Sequence, residues 1–128
     1  MSPPAGPLGT IGQVAIRVID VERATTFYRD VLGLPFLFAF PGLAFFRAGE
    51  VRLMLTAASE PRFDHPASIV YYRVGDIEEA HVTLLERGAV FERAPAITHR
   101  APGQELWLAF LQDGEGNVLA LMEERRVP

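Results

Sequence analysis

The 128-residue sequence contains no cysteine, no lysine and only three histidines. The absence of cysteine excludes disulfides, thiolate nucleophiles, zinc fingers and iron–sulfur clusters. The basic residues are all arginine and form no basic tract, so no nucleic-acid partner is expected. The longest apolar run, residues 32–40, is interrupted by Gly33 and Pro35 and is too short to cross a bilayer. No signal-sequence pattern opens the chain, so we expect a cytosolic protein without a membrane partner.

The sequence does contain enough apolar material for one packed domain. Hydrophobic residues make up 49% of the chain and charged residues 22%. This composition excludes a disordered chain, and the length is sufficient to bury a sizeable core. The formal net charge of −4 mildly favours a cationic or neutral ligand.

An internal repeat organises the chain. When the second half is laid over the first, identical residues coincide at Val14 and Val70, Arg17 and Arg73, Val18 and Val74, Asp20 and Asp76, Glu22 and Glu78, and Ala24 and Ala80. Each half has a strand, an Asp that caps an amphipathic helix, a glycine that ends the helix, and three short strands. The sequence therefore predicts an α+β domain made of two βαβββ modules.

Hydrophobic periodicity and turn residues predict the boundaries of the elements. In the first module, strands are predicted at 11–19, 36–40, 43–47 and 51–56, with a helix between Asp20 and Gly33. In the second module, strands are predicted at 68–74, 90–98, 105–112 and 118–123, with a helix at 77–87 capped by Asp76. Residues 1–10 are predicted to be an N-terminal arm, 57–66 a linker and 99–104 a loop. The predicted domain covers 11–124, with modules at about 11–56 and 68–124.

Two segments carry a resemblance to a known family. They are VAIRVIDVERATTFYRDVLGLPF, which starts at Val14, and AFLQDGEGNVLALME, which starts at Ala109. The first segment contains an Asp-capped helix with a Phe-Tyr pair and a closing Leu-Gly, and the second contains an Asp-x-x-Gly-Asn turn. In this order, the two motifs resemble those of the vicinal oxygen chelate superfamily. That superfamily includes glyoxalase I, bleomycin-resistance proteins and extradiol dioxygenases. The resemblance implies a curved mixed sheet that forms a cup, helices on its convex side, a ligand site inside the cup, and a homodimer.

The resemblance also allows the family's metal site to be tested position by position. Metal-using members place four ligands in the cup, typically His or Glu, and these positions correspond to Gln13, Met54, Ile69 and Ala120. Gln13 offers a weak neutral oxygen and Met54 a soft sulfur, whereas Ile69 and Ala120 offer no donor atom. We therefore expect no cofactor and no metal at the usual site, and a displaced divalent metal site stays open as an alternative.

Strand alternation predicts which side chains line the cup. Leu106, Leu108 and Phe110 are expected to meet the helices. The residues expected in the cup are Glu105, Trp107, Ala109, Gln13, Ala15, Arg17, Arg52, Met54, Ile69, Tyr71, Arg73, Ala120 and Met122. Apolar walls with a few polar groups suit an organic small molecule. The predicted ligand-binding residues are Gln13, Arg17, Met54, Tyr71, Arg73, Trp107 and Ala120.

Several candidates also have a purely structural interpretation. Trp107 either fills the core or stacks on a ligand. Arg17 and Arg73 either pair with acidic residues at the module seam or bind a substrate carboxylate. Glu105 either acts as a general base or pairs with an arginine. An aromatic wall is interpreted as core or dimer contact, and it consists of Phe38, Phe40, Phe45 and Phe46.

Three functions are compatible with these residues. The favoured one is a metal-free binding protein of the bleomycin-resistance kind, which holds an organic small molecule in the cup. The second is a glyoxalase-like lyase, isomerase or hydrolase in which His99 and Glu105 act as acid and base, or hold a displaced divalent metal with Gln13. The third is a scaffold whose cup is filled by side chains and which only dimerises. His65 and His81 are interpreted as surface residues, and the fold alone does not decide among the three functions.

Overall fold

Two βαβββ modules, each a sheet with a helical segment against one face, make up the described part of the chain. The computed structural model describes residues 6–7 and 9–128, so most of the predicted N-terminal arm lies outside the described residues. The first module contains β1 (Gln13–Arg17), α1 (Val21–Thr26), a π-helical turn (Phe27–Val31), β2 (Phe36–Phe40), β3 (Leu43–Ala48) and β4 (Val51–Thr56). A 3-10 turn (Pro61–Phe63) lies in the linker. The second module contains β5 (Val70–Arg73), α2 (Ile77–Glu86), β6 (Val90–Ala101), β7 (Gln104–Gln112) and β8 (Val118–Arg126).

The two sheets have the same topology. Their strand orders are β1-β4-β3-β2 and β5-β8-β7-β6. In each sheet the first and last strands of the module pair in parallel, and the other neighbours are antiparallel. This arrangement confirms the predicted α+β fold of two βαβββ modules. No helix among the described residues is long and apolar enough to cross a membrane.

Both helices begin where the sequence predicts. Asp20 and Asp76 are extended, and each accepts a 3.0 Å hydrogen bond from a backbone N–H, that of Arg23 and Glu79 respectively. These bonds satisfy N–H groups that have no partner inside the helix. The first helix changes to π-helical hydrogen bonding at its second half and ends at Gly33, whose φ of 74° favours glycine.

One apolar core extends through both modules. Phe27, Leu32 and Tyr72 pack against the buried cluster of the first module and against that of the second. The largest fully buried apolar side chains are Tyr28, Phe46, Ile16, Leu53, Leu55, Ile77, Leu111 and Val18. Burial of each large side chain stabilises the fold by roughly 1.5–3 kcal/mol.

The turn between β7 and β8 is a buried polar link between the modules. Asp113 accepts hydrogen bonds from the backbone N–H groups of Glu115 and Asn117 and from the hydroxyl of Tyr28 in the first module. Asn117 Nδ2 donates to the Arg17 carbonyl at 2.8 Å. The Asp-x-x-Gly-Asn turn therefore holds the end of β1 and the first helical segment against the second module.

Glu115, in the same turn, is fully buried and bonds to the start of α1. Its Oε2 accepts from the N–H groups of Ile19 and Asp20 at 2.7 and 3.1 Å, and its Oε1 accepts from Arg23 Nε at 2.6 Å. Desolvation acts to raise the pKa of Glu115, but the hydrogen bonds from Arg23 and from these two N–H groups outweigh it and lower the pKa. The carboxylate is therefore stabilised in its charged form.

Two predictions for the last hairpins were wrong. β6 continues to Ala101, so residues 99–101 are strand where a loop was expected. Its pairing with β7 has three register irregularities, and the one between Arg93 and Ala96 contains Pro95. In β7 the predicted faces are reversed, because Trp107 and Ala109 belong to the helix-side core. Alternation then places Leu106, Leu108 and Phe110 on the opposite face.

Candidate functional site

Each sheet has an open face, defined here as the face turned away from the helices. Residues paired across strands share a face, and the neighbours of the open-face residues are core residues such as Ile16, Leu53 and Leu121. The first open face consists of Gln13, Ala15, Arg17, Phe38, Phe40, Leu43, Phe45, Arg47, Arg52, Met54 and Thr56. The second open face consists of Tyr71, Arg73, Arg93, Ala96, His99, Leu106, Leu108, Phe110, Ala120, Met122 and Glu124.

Gln13 and Arg52 form a hydrogen-bonded pair on the first open face. Arg52 Nε donates to Gln13 Oε1 at 2.7 Å, and Gln13 Nε2 lies 3.7 Å from Met54 Sδ. The Arg52 guanidinium lies 5.2 Å from the centre of the Phe45 ring. Arg47 stands directly opposite Arg52 in the β3–β4 register. The amide oxygen that was the one plausible oxygen donor at the four family positions is thus already bound to a cation of the protein.

The donor set at the four family positions does not fit a divalent ion. The Gln13 oxygen is taken by Arg52, Met54 provides only a thioether sulfur, and Ile69 and Ala120 provide no donor. A divalent ion needs several oxygen or nitrogen donors at about 2.0–2.2 Å. Across residues 6–7 and 9–128, no group of three or more His, Asp or Glu side chains is arranged to hold a metal ion.

Ala120 is buried beside two aromatic residues of the same sheet and presents no surface to a ligand. It is fully buried, and it stands between Tyr71 on β5 and Phe110 on β7 in the sheet register. The Tyr71 and Phe110 rings contact each other edge to face, with centres 6.1 Å apart. Tyr71 is the exposed member of this group, so it is the one that presents a surface to a ligand.

Arg17 and Arg73 both pair with acidic residues. Arg17 Nη1 donates to the Glu115 carbonyl at 3.1 Å, and its Nε lies 3.3 Å from Asp64 Oδ1 as an ion pair without hydrogen-bond geometry. Arg73 Nη2 lies 3.2 Å from Glu124 Oε1. Arg17 thus contacts the second module and the linker, which is consistent with the structural interpretation, whereas Arg73 pairs with an acidic residue of its own module and not at the module seam.

Trp107 and Glu105 lie on the helix side of the second sheet, contrary to prediction. Trp107 packs against the second core cluster, and the Arg125 guanidinium lies 4.3 Å from the centre of its indole ring system. Trp107 Nε1 donates to Glu105 Oε1 at 3.1 Å, and Glu105 Oε2 lies 3.7 Å from Arg100 Nε. His99 stands opposite Leu106 on the open face. The structure therefore does not bring Glu105 and His99 together, because they lie on opposite faces of the sheet.

Several modest cavities in the described part of the chain include open-face residues, and three of them bear on the site. One, of about 280 Å³, lies between β1, β4 and the linker and is lined by Ala15, Arg17, Met54 and Phe63 among others. A second, of about 410 Å³, is lined by residues of β2–β4 that include Phe38, Arg47 and Arg52. A third, of about 260 Å³, contains His99, Leu106, Met122 and Glu124. The first cavity is lined by the first sheet and by linker residues such as Phe63 and His65, and each of the other two is lined by a single sheet.

A larger cavity of about 500 Å³ lies on the helix side, between α2 and the segment after the first helix. Arg73 is the one predicted site residue that lines it. We place the candidate site on the open faces, because Gln13, Met54 and Tyr71 are presented there with Arg17 and Arg73. The sequence prediction did not include Arg47, although alternation from Phe45 along β3 places it on the same face.

Comparison with known proteins agrees with this architecture. The profile of the Glyoxalase/Bleomycin resistance protein/Dioxygenase superfamily matches residues 10–121. The fold is similar to a glyoxalase/bleomycin resistance protein/dioxygenase from Nocardioides (TM-score 0.74, 22% identity, 93% of this chain and 85% of that chain). It is also similar to a member of this superfamily from Sphaerobacter thermophilus DSM 20745 (TM-score 0.73, 25% identity, 91% of this chain and 98% of that chain). A third similar structure is a lactoylglutathione lyase from Agrobacterium tumefaciens (TM-score 0.69, 24% identity, 91% of this chain and 95% of that chain).

A search of curated protein sequences finds no significant match. The superfamily profile, however, extends through both modules, includes the whole first segment that carried the resemblance and covers the second as far as Leu121. The resemblance is therefore confirmed, and the chain belongs to the glyoxalase/bleomycin resistance protein/dioxygenase superfamily.

Proposed function

We propose that this chain binds an organic small molecule on its open faces without a metal ion. The observation that carries the proposal is the Gln13–Arg52 hydrogen bond of 2.7 Å, together with the donor-poor residues at the other family positions. The surrounding surface combines apolar side chains such as Met54 and Tyr71 with a few polar groups. Such a surface stabilises an organic ligand by burying its apolar area and orients it by hydrogen bonds.

A homodimer is part of the proposal. None of these open-face cavities has walls from both sheets, although the first also has a wall from the linker, so a ligand in any of them would keep one side exposed to solvent. A second copy of the chain would supply the opposite wall, and closed two-fold dimers are the commonest way for a chain to assemble.

Light scattering after size exclusion should give twice the chain mass of 14.1 kDa. A monomer mass at micromolar concentration would remove the dimer from the proposal.

The acid–base alternative with His99 and Glu105 is not retained. The two residues lie on opposite faces, and Glu105 is engaged by Trp107 and Arg100. General acid–base catalysis needs both groups within reach of the same substrate. The carboxylate that lines a cavity with His99 is Glu124, which already bonds to Gln104 and pairs with Arg73.

A fragment screen by ligand-observed NMR tests the proposal, with and without EDTA. We expect binding that persists in EDTA and that weakens at least tenfold in Met54→Trp, because the larger ring fills the first open face. Val82→Trp, at an exposed position of α2, is the matched control and should bind as the wild type does. Binding that requires an added divalent metal would contradict the metal-free proposal. Binding unchanged by Met54→Trp would contradict the location on the first open face.

A further inference from the structure

Two arginines stand opposite each other on the first open face without a carboxylate between them. Arg47 and Arg52 are directly paired in the β3–β4 register. Like charges in this position repel each other and destabilise the strand pair. In the described part of the chain, neither has a carboxylate oxygen within 4.0 Å, whereas Arg17 and Arg73 each have one. This pair is therefore a local excess of positive charge.

Arg52 is also held in a fixed orientation. Its Nε bonds to Gln13 Oε1 at 2.7 Å, and its guanidinium lies against the Phe45 ring as a cation–π contact. Its terminal nitrogens make no hydrogen bond to any of the described residues, and the side chain is exposed. A guanidinium fixed in this way offers planar N–H donors of the geometry that a carboxylate accepts.

Aromatic rings extend from the arginine pair across the same face. The Phe38 ring lies 4.7 Å from that of Phe45, and the Phe40 ring lies 5.6 Å from that of Phe38. Phe38 and Phe40 are 40% and 59% exposed, which leaves large apolar area uncovered. Phe38, Arg47 and Arg52 line one cavity of about 410 Å³, and Glu50 of the β3–β4 turn is the acidic residue at its edge.

We propose that the surface formed by Phe38, Phe40, Arg47 and Arg52 binds an aromatic carboxylate. The carboxylate would be held by the two guanidinium groups, and the ring of the ligand would lie against the phenylalanine rings. This inference rests on the proposed function, since it names the class of ligand that the open face takes. An anionic ligand replaces the cationic or neutral ligand that the net charge of −4 favoured. The electrostatic potential at a site depends more on the charges near it than on the net charge of the protein.

Calorimetric titration with three probes of matched shape tests the inference. The probes are 2-naphthoate, its neutral amide 2-naphthamide, and the cation 2-naphthylmethylammonium. We expect the carboxylate to bind about tenfold or more tightly than the amide, and the cation to bind most weakly. Arg47→Gln should weaken naphthoate binding about tenfold without changing amide binding. The substitution removes a positive charge, and the Arg47 side chain makes no hydrogen bond to the described residues that would be lost with it. Arg126→Gln, at an exposed position at the end of β8, is the matched control and should change neither.

The outcomes separate this inference from the proposed function. Equal binding of the three probes, or naphthoate binding that is unchanged in Arg47→Gln, overturns the inference and leaves the metal-free binding function standing. If none of the three probes binds while the fragment screen finds ligands that bind in EDTA, the inference is likewise overturned and the metal-free binding function stands. Failure of the probes and of the whole screen overturns the proposed function itself.

Light scattering on Arg47→Gln and on Phe40→Ala tests whether the same surface is instead a contact between two copies of the chain. We expect both variants to keep the wild-type mass while naphthoate binding weakens. A change in mass that accompanies the loss of binding would assign Phe40 and Arg47 to a contact between copies, and it would overturn the inference.

Discussion

The Tyr28 hydroxyl donates a 3.0 Å hydrogen bond to Asp113 Oδ2, a residue 85 positions away in the other module. Both residues are buried, with 1% and 3% of their surface exposed. Burial, and then the negative charge of Asp113, raise the pKa of Tyr28 well above its ordinary value. The hydroxyl therefore keeps its proton and stays a donor at neutral pH.

Tyr28→Phe should lower the free energy of unfolding by about 1–3 kcal/mol, because it leaves a buried carboxylate with one donor fewer. Urea denaturation at pH 7, followed by circular dichroism, measures the change. An unchanged midpoint and slope would show that the Tyr28–Asp113 bond contributes nothing to stability.

Tyr72→Phe is the matched control for that experiment. The Tyr72 hydroxyl is buried, but it has no hydrogen-bond partner among the described residues. Removal of a buried hydroxyl without a partner should be neutral or should stabilise the protein by up to about 1 kcal/mol. If Tyr72→Phe destabilised the fold as much as Tyr28→Phe, the effect at Tyr28 would have to be assigned to packing.

Glu115→Gln should lower stability at pH 7 by roughly 1.5–3 kcal/mol, since it weakens charge-assisted hydrogen bonds from Arg23 and from two backbone N–H groups. The folded-state pKa of Glu115 is lowered, so its contribution is present above the usual value of 4.5 and is lost as the pH falls through the folded-state pKa. The stability difference between wild type and variant should thus shrink in acid. Denaturation curves at several pH values measure it.

The exposed Glu86→Gln is the control for the pH experiment, and it should follow the wild type at every pH. A difference between wild type and Glu115→Gln that stays constant down to acidic pH would contradict the role of the Glu115 charge.

Trp107→Ala should destabilise the fold by about 2 kcal/mol or more and leave ligand affinity unchanged. The indole ring packs on the helix-side core under the Arg125 guanidinium, and it is only partly buried, so the loss should be below the roughly 3–5 kcal/mol of a fully buried tryptophan. Thermal denaturation and titration with a ligand from the screen measure the two effects. Loss of affinity in a variant that is still folded would contradict the helix-side position of Trp107.

The sequence carries most of the fold because its local signals agree with one another. Capping residues Asp20 and Asp76, the glycine at position 33 and the internal repeat all predict the same modules, and the structure confirms them. The arginine pair shows the limit of this reasoning. Arg47 and Arg52 lie on different strands, and their position opposite each other depends on the β3–β4 register, which alternation within either strand does not give.

The face of β7 was predicted wrongly because both of its faces are apolar. Leu106, Leu108 and Phe110 alternate with Trp107, Ala109 and Leu111, so periodicity alone does not say which row meets the helices. The register of the last hairpin would have decided the question. It pairs Phe110 with Ala120, which had already been assigned to the open side.

The buried Glu115 has a consequence for the order in which the chain can fold. It supplies the hydrogen-bond acceptor for the start of α1 from a position 95 residues later in the sequence, whereas the corresponding acceptor for α2 is Glu123 of the same module. A ribosome adds roughly 5–20 residues per second, so Glu115 is synthesised several seconds after the start of α1. The amino-terminal half therefore completes its structure only when the carboxy-terminal hairpin has been synthesised.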